Sequence, residues 1–131
     1  MIKNASSTKV YTPAVDFSSK DGYFVKATST SIAAVSAVTD VPHGVIISGD
    51  ISGGQTSVAR PNHPGTVGVK CNGTPGTIVH GTKLTMAADG SVKALPAAAG
   101  TYFYVAIADE AGAANEIIEA RLIEPVAVTV S

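Results

Sequence analysis

Residues 77–108, TIVHGTKLTMAADGSVKALPAAAGTYFYVAIA, decide the fold class. They read as a strand at 83–87, an Asp89-Gly90 turn, a returning strand at 91–94, a bend of small residues, and an apolar strand at 102–108. An Asp-Gly pair between β-type runs is a strong hairpin signal, because glycine accepts the positive φ that primed turns demand. The bend at 96–100 has room for one helical turn and is too short to be a helix alone. No residue set in this stretch could run a reaction.

The rest of the chain is arranged as strands and turns around that hairpin. Residues 1–20 are rich in Ser, Thr and Lys, with isolated apolar residues at Val10, Tyr11, Val15 and Phe17. Pro13 and the lack of helical spacing predict an extended N-terminal arm, and the alternation Lys9-Val10-Tyr11-Thr12 suits addition to another chain's sheet edge. Strands follow at 23–28, 43–48, 55–60 and 66–70, with turns at 39–42 and 62–65 and at Asn72-Gly73. After the central stretch come a loop at 109–115 and an alternating strand at 116–123 that Pro125 closes. The expected organisation is therefore an arm (1–20), one β domain (21–124) and a terminal strand or tail (125–131). Strand-like runs recur about every 8–12 residues, the spacing of sandwiches and barrels. The fold class is all-β: a compact, antiparallel single domain.

Composition narrows the function. A chain of 131 residues holds one core. Charged residues make up 15%, against about 25% in an average domain, which suits a protein that hides surface against other subunits. The formal net charge of −1 gives no basic footprint for nucleic acid. Apolar runs fall short of the ~20 residues a membrane helix needs, and MIKNASSTKVYTPAV lacks the apolar core of a secretory signal.

Constellations for chemistry are sparse. His43, His63 and His80 have no ligand-spaced partners, and His43 and His63 adjoin prolines, as turn residues with exposed rings do. Cys71 sits in a strand-like run and reads as a small buried hydrophobe. Residues 76–83 miss the phosphate-loop pattern, because Thr82 and Lys83 are in reversed order and no helix follows. Asp109, Glu110, Glu116 and Glu119 would need a cleft with sugar-stacking aromatics to cleave glycosides, and Trp is absent. Glu119 and Arg121 share one strand face, where a surface ion pair is expected. The residues thus predict no catalytic site, no cofactor and no metal.

Several runs, taken in order, resemble the capsid decoration (cement) proteins of tailed bacteriophages. They are Tyr23-Phe24-Val25-Lys26, Asp40-Val41-Pro42-His43-Gly44-Val45-Ile46 and Gly65-Thr66-Val67-Gly68-Val69-Lys70. The hairpin from Val79 to Ala94 follows, then Val105-Ala106-Ile107-Ala108 and Ile118-Glu119-Ala120-Arg121-Leu122-Ile123. The resemblance covers about residues 20–123, and its specificity lies in the order of the motifs. It implies a β-barrel or β-tulip-like fold, commonly trimeric, on the outer surface of an expanded head. There it would bridge neighbouring copies of the major capsid protein and would not be an enzyme. On that reading the arm is the clamp, with Lys9, Val10, Tyr11, Thr12, Val15 and Phe17 as capsid contacts, and removing residues 1–19 should leave a folded domain. The competing classes are a glycan- or receptor-binding β module of a phage tail or fibre, and a small hydrolase using Asp109, Glu116 or Glu119.

Overall fold

The computed structural model describes residues 7–131. Ten strands follow in chain order: β1 Thr8–Tyr11, β2 Phe24–Ala27, β3 Ile32–Ala34, β4 Gly44–Ser48, β5 Thr56–Ala59, β6 Val67–Lys70, β7 Lys83–Met86, β8 Val92–Lys93, β9 Gly100–Ala108 and β10 Ile117–Val130. They form two five-stranded antiparallel sheets, ordered β1-β5-β4-β2-β3 and β6-β10-β9-β7-β8. The all-β expectation holds. The barrel is not closed: one isolated bridge, Cys71 to Val92, brings the two edges of the second sheet together without a ladder between them.

The sheets share one core, in which Phe24, Val45 and Ala59 of the first meet Val69, Leu84, Val105, Ile118 and Leu122 of the second. Side chains alternate across a strand, so the neighbours Val25, Ile46 and Val58 point the other way. They form a second cluster with Ile32 and Phe17, against which Tyr11 packs. The register agrees, since Phe24 pairs with Val45 and Val45 with Ala59, while Ile46 pairs with Val58. The first sheet is thus apolar on both faces, which is why Val45-Ile46 reads as a continuous apolar run.

That second cluster corrects the expected arm. Within the described residues, β1 pairs antiparallel with β5, Lys9 opposite Val58 and Tyr11 opposite Thr56. Phe17 is only 2% exposed. Its N–H donates to the Asp50 carbonyl at 2.8 Å, and Gly53 N–H donates to the Pro13 carbonyl at 2.9 Å. The fit to the 49–54 loop is close, since a Cβ on Gly49 would lie 1.9 Å from the Phe17 carbonyl oxygen. Residues 7–20 are a strap on the chain's own sheet, and cutting at residue 19 would remove both a strand and a core aromatic. Residues 1–6 of the expected arm lie outside the described residues.

The organising hairpin is present, with a different turn. Gly90 N–H donates to the Ala87 carbonyl at 3.0 Å, and Ala87 N–H donates to the Ser91 carbonyl at 2.7 Å. Gly90 has φ +90°, whereas Asp89 is not among the positive-φ residues. A primed turn of the I′ type needs both, so this is a three-residue loop that ends in a left-handed glycine bulge. The Asp89 carboxylate fixes it by accepting from Ser91 N–H at 3.0 Å and from Ser91 Oγ at 2.5 Å. The tip docks on the first sheet, where Phe24 N–H donates to the Gly90 carbonyl at 2.8 Å.

Pro125 does not close the last strand. β10 runs for 14 residues, and its register with β9 shifts between Leu122 and Val126. The irregularity absorbs the missing N–H of the proline. Beyond it, residues 126–130 pair with β9 from Val126 opposite Tyr104 to Val130 opposite Gly100. The terminal segment is a strand.

Candidate interaction surface

The six contact candidates are divided by the fold. Lys9, Thr12, Val10 (51% exposed) and Val15 (42%) are exposed, Tyr11 is half-buried, and Phe17 belongs to the core. Phe17 is therefore withdrawn from any partner surface. Among the described residues β1 is an outer strand of its sheet, paired with β5. It is held rigidly. Tyr11 Oη and His43 Nε2 share a hydrogen bond of 2.6 Å, their rings meet edge to face, and Lys9 Nζ sits 5.5 Å from the Tyr11 ring centre. Burial lowers the His43 pKa, and the Arg60 and Lys9 charges lower it further. His43 is half-buried and locks the strap, which the adjacent proline did not announce.

The charged residues that sequence reasoning singled out hold loops. Asp109 Oδ1 stands 3.3 Å from His80 Nε2, with both side chains largely exposed. Glu110 accepts from Glu119 N–H at 2.8 Å, and Glu116 accepts from Ala113 N–H at 2.9 Å. Glu119 accepts from the Thr66 hydroxyl. It does not pair with Arg121, which lines a shallow groove beside His80 and Asp109. A second groove, of about 430 Å³, runs past Asp21, His63, Thr66 and Glu119. His63 is half-buried in it, where an exposed turn ring was expected. Among the described residues, no group of three or more His, Cys, Asp and Glu side chains is placed to hold a metal ion. Cys71 is buried, and burial, then Glu116, pushes its thiol pKa up. Residues 76–83 lead into β7, a strand, and not into a helix.

Residues 125–131, expected as a tail or a terminal strand, form a strand with an open edge through Val130. β6 covers β10 only from Ile117 to Ala120. Residues 126–130 pair with β9 on one side alone, and among the described residues no loop backbone bonds to the other. Val126 there is 54% exposed. The available signal was an alternating, uncharged run, VAVTV, after a proline. No known family model matches the sequence, and no characterised protein matches it either.

Proposed function

We propose that this protein is a capsid decoration protein of a tailed bacteriophage, which binds the outer surface of the head and stabilises it by bridging neighbouring subunits of the major capsid protein. The ordered resemblance over residues 20–123 supports this reading. The observation that carries it furthest is β1, an outer strand of its sheet among the described residues, on which Lys9 and Val10 are exposed. An extended capsid segment can add there by backbone pairing, with Val10 and Val15 as apolar contacts. Because Phe17 and the Tyr11–His43 bond already fix the strand, little ordering entropy is lost on binding. Repetition over a lattice then turns a weak contact into tight attachment.

The test mixes purified protein with expanded heads that lack it, and measures both the protein pelleted with heads and the temperature at which heads release DNA. The expected result is saturable binding and a raised release temperature. Val10→Asp should lower occupancy at an unchanged melting point, since the side chain is outside the core. Absence of binding, together with signal on a glycan array, would replace this reading with the receptor-binding one.

A further inference from the structure

We infer that the open edge of β10 at residues 126–130 is where a second copy of this chain pairs, strand to strand and antiparallel. Exposed strand edges template further pairing, and proteins ordinarily blunt them with lysine, brevity or a covering loop. The outermost strands of the two sheets follow that rule. β1 carries Lys9, β6 carries Lys70 and β8 carries Lys93, while β3 is three residues long. The β6 and β8 edges are also covered in part, through Lys70 N–H to the Gly22 carbonyl at 2.9 Å and Asn72 N–H to the Val92 carbonyl at 2.8 Å. Among the described residues, 126–130 carry no lysine and no covering loop, Pro125 and the register shift lie just before them, and their partner strand β9 is uncharged along its whole length.

The occupant follows from self-complementarity. With Val128 on a two-fold axis, all five residues pair: Val126 faces Val130 of the partner subunit, and Ala127 faces Thr129 of the partner subunit. No charge meets a like charge, and at Val126, Val128 and Val130 β-branched side chains lie across from one another, the favourable case for cross-strand pairs. Such a contact is isologous and stops at two copies, where the resemblance implies three. Five residues of edge fall short of the roughly 1,000 Å² that a stable interface buries, so the pair forms and separates with concentration. This inference does not rest on the capsid reading.

The experiment is light scattering on the full chain over a wide concentration range, with two double variants at positions already exposed to solvent. The natural protein should rise from one chain mass towards two. Ala127→Lys with Thr129→Lys sets lysine against lysine across the axis and should stay at one chain mass throughout. Ala127→Lys with Thr129→Glu sets opposite charges in the same register and should recover the pair. Circular dichroism of each variant shows whether the fold is kept. A natural protein that is monomeric at every concentration or trimeric, a lysine variant that still pairs, or a Lys/Glu variant that does not recover would each overturn the inference.

Discussion

The two ends of the chain carry similar numbers of apolar residues and use them in opposite ways. Near the N-terminus Tyr11 and Phe17 are scattered among polar residues, yet they close a second apolar cluster over Val25, Ile46 and Val58. Near the C-terminus Val126, Val128 and Val130 alternate as a strand should, yet they sit on a ribbon with an open side. Regular alternation forms a strand and says nothing about what covers its edge. Scattered apolar residues can be core when the surface they complete lies far along the chain.

The sharpest way to break this contrast is to truncate one residue from each end. Phe17→Ala should cost about 3–5 kcal/mol, as deletion of a buried aromatic does, while Val126→Ala should stay within about 0.5 kcal/mol. Urea denaturation of the two variants at low protein concentration measures both, and equal losses would erase the distinction. Gly90→Val comes next, with an expected loss of about 2 kcal/mol or more from strain at positive φ and steric overlap. Its Cβ would stand 2.5 Å from the Phe24 carbonyl oxygen, so the loss should include weakened docking of the hairpin on β2. An unchanged melting point would show that the tip does not dock.

The smallest effect concerns the strap's lock. The His43 pKa is lowered in the folded protein, so the unfolded chain takes up the proton first as pH falls. Folding stability is then full above the ordinary imidazole value of about 6.5 and declines below it. His43→Gln should flatten that decline. Stability that rises on acidification through the same window would contradict the assignment.

Much of the fold was legible from local chemistry. The Asp89-Gly90 signal located the central hairpin, because a glycine at positive φ is a local demand. The turn type was not legible, since it depends on whether Asp89 also takes positive φ. Pro125 misled in the ordinary way: a proline ends a regular ladder, but an irregularity in register tolerates it. Of the contact candidates, Val10 and Val15 remain on the surface and Phe17 does not. Nothing local separates the three, since the difference is whether Ile46 and Val58 lie underneath.

The measurement that tests the account most directly is hydrogen exchange of the free protein at low concentration, followed by mass spectrometry of peptides covering residues 8–17 and 124–131. A strap that belongs to the fold should keep its β1 amides protected nearly as long as the core strands, while the open side of 126–130 exchanges early. Complete exchange of 8–17 within the first time points would contradict the account and restore the free clamp that the sequence alone predicts.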